Sequence, residues 1–122
     1  MREILFRGKL KSNDEWSFGN LNVSLRAIVI ITPDETPIGK YGQVIPETVG
    51  QYTGLTDKNG KKIFEGDIVK YKNSSPCQIA YIDSQFVMAW KNFYRNFERV
   101  YDDEIEVIGN IYDTPRNVGG RK

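Results

Sequence analysis

The sequence contains no histidine and a single cysteine, Cys77. Histidine is the commonest metal ligand and the side chain most often used for proton transfer near neutral pH. Its absence excludes Ser-His-Asp and Cys-His hydrolysis, His-containing zinc sites and His-based phosphotransfer. One thiol cannot form an intramolecular disulfide or a Cys-only zinc site within one chain, and it points to a reducing compartment. Long apolar runs are missing as well. The longest, Ala27–Ile31, falls far short of the ~20 residues that cross a bilayer, and Met1–Arg7 offers neither an apolar signal core nor a small-residue cleavage site. The expectation is a cytoplasmic protein without a membrane partner. A dominant charge sign is also lacking: 17 basic and 16 acidic residues leave a net charge of +1. No strong overall field draws in a polyanion, which makes non-specific nucleic-acid binding a lesser expectation.

What is present suits one globular domain. A length of 122 residues fits a single core, and 39% hydrophobic with 27% charged residues is neither a disordered nor a membrane composition. Residues 1–115 are expected to form that domain and 116–122, ending Gly-Gly-Arg-Lys, a flexible tail. Ile4, Phe6 and Leu10 mark a strand that returns through Ser12-Asn13-Asp14 to Trp16–Gly19 as a hairpin. Leu21, Val23 and Leu25 alternate with polar residues and are read as running on into Ala27–Ile31. The stretch Thr32–Gln43, with two prolines and two glycines, reads as a loop.

Farther along, Gln51–Leu55 and Lys62–Phe64 flank Asp57-Lys58-Asn59-Gly60, a turn in which Asn59 and Gly60 supply positive φ and Asp57 bonds to backbone. Gly66-Asp67 then turns the chain into Ile68–Tyr71, a pattern frequent in SH3-like barrels. Cys77–Ile82 and Phe86–Lys91 form a further hairpin. Phe93, Phe97 and Val100 or Tyr101 have the spacing of a short amphipathic helix, and Glu104–Tyr112 closes the fold as a strand. The fold class is therefore mostly β: a single domain with an SH3-like barrel element, β-hairpins and at most one short helix.

Three blocks of this chain resemble the YopX family, small proteins encoded by phages and prophages of Gram-positive bacteria. They are Arg2–Lys9 with Trp16; Pro46–Leu55 continuing through Asp57–Lys61 and Ile63–Val69; and Glu106–Tyr112 followed by Pro115. They lie in family order and reach almost from end to end. The resemblance implies a mostly β fold with an SH3-like element and a phage or prophage origin. It carries no catalytic or ligand-binding residue over to this sequence.

Several residues remain as candidate sites. Trp90, Lys91, Tyr94, Arg95 and Arg99 interleave aromatics with cations, a pattern that suits a protein interface or single-stranded nucleic acid, or else the buried stripe and wet face of a helix. Lys58, Lys61, Lys62, Lys70 and Lys72 form a basic cluster that serves either as a patch or as protection against edge aggregation. Glu65 and Asp67 flank Gly66 and are either an acid–base or metal pair or, as preferred here, turn residues. Asp57, Asn59, Gly60, Gly66 and Asp67 read as structural turn positions. A calcium-loop reading from Asp57 fails because glycine falls fourth and the twelfth position is Ile68. Asp102, Asp103, Glu104 and Glu106 read as a solvated acidic face. Cys77, without a histidine partner, reads as a packed residue. The sequence thus leads to a non-catalytic interaction module with no cofactor or metal, whose partner is an unknown phage or host protein. Homo-oligomerisation, a nucleic-acid-binding barrel and, last, a carboxylate or metal-dependent enzyme stay open.

Overall fold

The computed structural model describes residues 4–24, 27–33, 39–96 and 104–113. Among them the chain forms eleven strands and one 3-10 turn. It divides into two compact units, Met1–Tyr52 and Thr53–Lys122.

In the first unit, β1 (Phe6–Lys9) and β2 (Trp16–Val23) form an antiparallel hairpin with Lys9 opposite Trp16. β3 (Ile28–Thr32) pairs with β2, β4 (Lys40–Gln43) pairs with β3, and the start of β5 (Gly50–Thr56) pairs with β1 at Phe6 and Arg7. The far end of β1 meets the end of β4. Leu10 bridges Val44, the Lys11 N–H donates to the Gln43 carbonyl at 2.9 Å, and the Ile45 N–H donates to the Lys9 carbonyl at 2.8 Å. The ladder β1–β2–β3–β4 therefore returns to β1, which leaves fewer unpaired backbone groups for water to compete over. Ile30 and Val44 are fully buried. A 3-10 turn, Pro46–Thr48, follows β4, and its Thr48 hydroxyl accepts the Lys9 N–H at 2.9 Å.

Two sequence readings change here. The alternating run through Leu25 does not continue into Ala27–Ile31 as one strand: Ser24 and Ala27 close a tight reversal, with the Ala27 N–H donating to Ser24 Oγ at 3.2 Å. Alternation alone carries no mark of where a strand folds back. The stretch Thr32–Gln43 is not all loop, because β3 runs to Thr32 and β4 begins at Lys40.

The second unit takes in the rest of β5, then β6 (Lys62–Phe64), β7 (Asp67–Tyr71), β8 (Cys77–Ile82), β9 (Gln85–Ala89), β10 (Tyr94–Asn96) and β11 (Ile105–Asn110). Its five-stranded antiparallel sheet has the order β10-β9-β8-β7-β11. A four-strand meander with the last strand returned beside the first is the strand order of an SH3-like element. Val69, Tyr71, Cys77, Ile79, Met88 and Ile105 alternate onto one face and pack with Ile63 as the core. The β8–β9 turn is the two-residue Asp83-Ser84, both at positive φ (53° and 66°), whose twist matches that of the flanking strands. The helix expected from Phe93 onward is replaced in part by β10. Tyr94, Arg95 and Asn96 pair with Ala89, Met88 and Val87, so the four-residue aromatic spacing from Phe93 does not mark a helical face there. The remainder of that helix, and the tail at 116–122, fall outside the described residues.

Gly19 separates steric from conformational demand. A Cβ built there would lie 2.1 Å from the Ile31 carbonyl oxygen, a backbone atom that cannot rotate away, whereas Gly60 at φ +82 has nothing within 4 Å. Gly60→Ala should cost only the left-handed backbone penalty, roughly 1–2 kcal/mol. Gly19→Ala should cost more, since the β2–β3 ladder must open. Urea unfolding of both variants checks this ordering.

Candidate functional site

The aromatic and basic stretch lies on the hairpin β9–β10. The reversal at Lys91-Asn92 is closed by the Trp90 N–H donating to the Phe93 carbonyl at 2.9 Å. Trp90 and Phe93 stack across it, with centroids 5.0 Å apart and planes 13° apart. Trp90 is half-buried against the core, and its Nε1–H donates to the Ser75 carbonyl at 3.0 Å. It anchors the hairpin tip rather than offering a free ring. Phe93 is 59% and Tyr94 47% exposed, and Lys91 and Arg95 are exposed too. Ile82, Ala89, Lys91, Tyr94 and the stacked pair line a shallow hollow of about 470 Å³. The Arg95 guanidinium lies 5.3 Å from the Tyr71 ring centroid, a cation–π distance. The structure thus brings Trp90, Lys91, Tyr94 and Arg95 to one hairpin; Arg99 lies outside the described residues.

The lysine cluster is a mixed-sign surface. Lys58 Nζ is 3.5 Å from Glu106 and Lys72 Nζ 3.5 Å from Glu104, while Lys70 and Glu106 stand opposite each other across β7 and β11. The Glu104 carboxylate, together with Tyr71, raises the Lys72 pKa above its usual value. Lys61 and Lys62 are exposed. Glu104 and Glu106 are thus spent on neighbouring lysines; Asp102 and Asp103 fall outside the described residues. Exposed pairs of this kind add little stability, but they remove the uniform positive stripe that a polyanion would follow.

Asp57 carries three backbone hydrogen bonds on its carboxylate. It is 4% exposed. Its Oδ1 accepts the Asn59 N–H at 2.8 Å and the Lys61 N–H at 2.9 Å, and its Oδ2 accepts the Val107 N–H at 2.9 Å, fifty residues away in sequence. Beside it the Lys58 N–H donates to the Ile105 carbonyl at 2.9 Å. The turn between β5 and β6 therefore caps the outer edge of β11. Only Gly60 of the Asn59-Gly60 pair has positive φ, so this is a three-residue loop closed by a left-handed glycine rather than a two-residue one. Burial disfavours charge on Asp57, but the three N–H donors and Lys61 outweigh it and hold the carboxyl below the ordinary value.

The other carboxylate pair separates by environment. Asp67 is 2% exposed, and its Oδ2 accepts the Phe64 N–H at 2.7 Å, while Glu65 is half-buried. Gly66 between them has φ +94, and a Cβ built there would lie 3.0 Å from the Tyr112 ring. Cys77 is fully buried, and burial pushes its thiol up to about 12. Among the described residues no group of three or more Cys, Asp or Glu is placed to hold a metal ion.

A family model described as YopX protein matches residues 5–118. The chain belongs to the YopX family. The three sequence blocks fall on β1 with the start of β2, on the run from the 3-10 turn through β7, and on β11. The chain is also similar to protein EF1440 from Enterococcus faecalis, whose crystal structure matches at 29% identity and a TM-score of 0.63, covering 94% of this chain and 97% of that one. No curated protein matches. No helix among the described residues is long and apolar enough to cross a membrane.

Some of the chemistry was not visible in sequence. In the first unit Trp16 carries the Arg7 guanidinium 4.5 Å and the Lys9 ammonium 5.5 Å from its ring centroid, with Arg7 and Lys9 themselves buried. A hollow of about 330 Å³ beside it is lined by Leu10, Phe18 and Tyr41 among others. The signal was the alternation Arg7, Lys9 opposite Trp16 and Phe18, readable only once the hairpin register is known.

Two predictions follow from the geometry of Asp57 and Cys77. Asp57→Asn keeps one acceptor oxygen but presents an NH2 group to a backbone N–H, and should cost about 2 kcal/mol in urea unfolding at pH 7. Because the folded carboxyl titrates below its unfolded value, its contribution is complete above about pH 4 and fades as pH falls through the folded pKa. The gap between native and variant should therefore narrow at pH 3. Cys77 should resist iodoacetamide at pH 8 in the native protein and react promptly once unfolded in urea; fast native-state labelling would contradict its burial.

Proposed function

We propose that this YopX-family chain is a non-catalytic protein-interaction module, an accessory protein of a phage or prophage acting in the cytoplasm of its bacterial host. The observation that carries the reading is the β9–β10 hairpin. Its tip exposes Phe93 and Tyr94 on a rigid support, Trp90 stacked beneath Phe93 and tied to Ser75. Exposed aromatic rings beside arginine are the composition of interface hot spots, and a pre-ordered tip loses little entropy on docking. Non-catalytic action is supported by a histidine-free composition, a thiol with its pKa raised rather than lowered, and an Asp67 carboxylate engaged with backbone. The phage setting rests on what the family resemblance implies.

The test is affinity capture of tagged protein from host lysate, with and without nuclease, using the native chain and a Phe93→Ala/Tyr94→Ala variant of unchanged circular dichroism. A stoichiometric protein that survives nuclease and is lost with the variant is expected. Capture of nucleic acid, with all protein lost on digestion, would replace this reading with a nucleic-acid-binding one.

A further inference from the structure

We propose that Asn59 is a site of spontaneous deamidation that the Asp57 turn holds in check, and that its conversion unfastens the turn from β11.

Asn59 is the sole asparagine of the chain followed by glycine. An asparagine deamidates when the backbone nitrogen of the next residue attacks its side-chain carbonyl carbon. The nitrogen gives up its proton to a base in solvent, the N–Cγ bond forms, and the Cγ–Nδ2 bond breaks with loss of ammonia. Water then opens the cyclic imide at either carbonyl, leaving aspartate or isoaspartate at that position. A following glycine favours the attack, because it has no Cβ to crowd its nitrogen. Both residues are exposed here, and even a Cβ built on Gly60 would find no atom within 4 Å. Water and base therefore reach the reacting pair.

The restraint lies in the hydrogen bonds. The Gly60 N–H donates to the Asp57 carbonyl at 2.9 Å. Removing that proton leaves an electron pair where the N–H pointed, so the nitrogen faces the Asp57 carbonyl oxygen and not Asn59 Cγ. To attack, the Asn59–Gly60 peptide must rotate, and rotation breaks that bond. It also displaces the Lys61 N–H, which shares Asp57 Oδ1 with the Asn59 N–H at 2.9 and 2.8 Å. Cyclisation therefore waits on a local opening of the turn, and its rate follows the open population.

The product does not fit the closed turn. Isoaspartate carries the main chain through its side-chain carbons and adds one backbone atom between the Asn59 and Lys61 N–H groups. Two donors spaced to meet on one carboxylate oxygen no longer both reach it. Either product also places a negative charge two residues from the buried Asp57 carboxylate, which repels it. With its own donors displaced, Asp57 loses the placement that brings Oδ2 within 2.9 Å of the Val107 N–H.

Ageing the full chain at pH 8 with and without urea, then mapping peptides for isoaspartate at position 59, tests this. The native chain should convert roughly ten-fold or more slowly than the unfolded chain, as an opening equilibrium requires. Asp57→Asn should bring the native rate toward the unfolded one; if that variant does not fold, the ratio of rates with and without urea decides. Gly60→Ala should suppress conversion in urea, where the turn has no part. In native protein isolated after conversion, the Val107 amide should exchange faster than in the unconverted chain. Equal rates with and without urea, or an unchanged rate in folded Asp57→Asn, would overturn the restraint. No conversion at position 59 in the native chain would overturn the site, and a converted chain whose Val107 amide stays as protected as before would overturn the unfastening.

Discussion

Three backbone N–H groups meet on the Asp57 carboxylate, and much of the second unit depends on that meeting. Two of the donors, Asn59 and Lys61, belong to the turn itself; the third, Val107, belongs to the last strand. One side chain therefore shapes the turn between β5 and β6 and fastens it along β11. A buried carboxylate is costly unless its oxygens are well supplied with donors, and here the supply comes from backbone, which brings no competing charge. The Lys58–Ile105 backbone bond extends the same seam. Without the carboxylate the Val107 N–H would be left at a sheet edge without its partner, and the return of β11 against β7 would lose its outer support.

The same accounting of backbone groups explains why the two ends of that sheet behave differently. Every strand edge presents donors and acceptors that must be paired, wetted or covered. The first unit solves the problem by curling, with the end of β4 bridged to the end of β1. The second covers β11 with the Asp57 turn. β10 is short, three residues long and exposed throughout, and it is flanked by cations, a common way of discouraging like strands from adding.

How much of this was legible in sequence follows physical range. Local chemistry read well: the glycine-containing turn after Asp57, the bend at Gly66 and the strands at Ile68–Tyr71, Cys77–Ile82 and Glu104–Tyr112 all rest on signals within a few residues. Long-range pairing did not. Nothing near Asp57 in sequence announces Val107, and nothing near Lys58 or Lys72 announces that Glu106 and Glu104 will sit beside them. The lysine cluster read as a basic patch or as protection against edge aggregation, because its acidic partners, Glu104 and Glu106, lie more than thirty residues on. The helix drawn from Phe93 onward failed over Tyr94–Asn96 because aromatic residues four apart fit a helical face and also a hairpin whose partner strand supplies the real pairing. Trp90 read either as an interface residue or as part of a helix's buried stripe, and only its contact with the core and with Ser75 made it a support.

The central claim is that the Asp57 turn seals the β11 edge of the five-stranded sheet, while among the described residues no strand pairs with the outer side of β10. Residue-resolved amide hydrogen exchange of the native protein tests it most directly. The account predicts a Val107 amide protected to the level of the core strands and an Arg95 amide protected by pairing with β9. The Tyr94 amide between those paired positions should exchange orders of magnitude faster. A Tyr94 amide as slow as its neighbours, or a Val107 amide that exchanges freely, would contradict it.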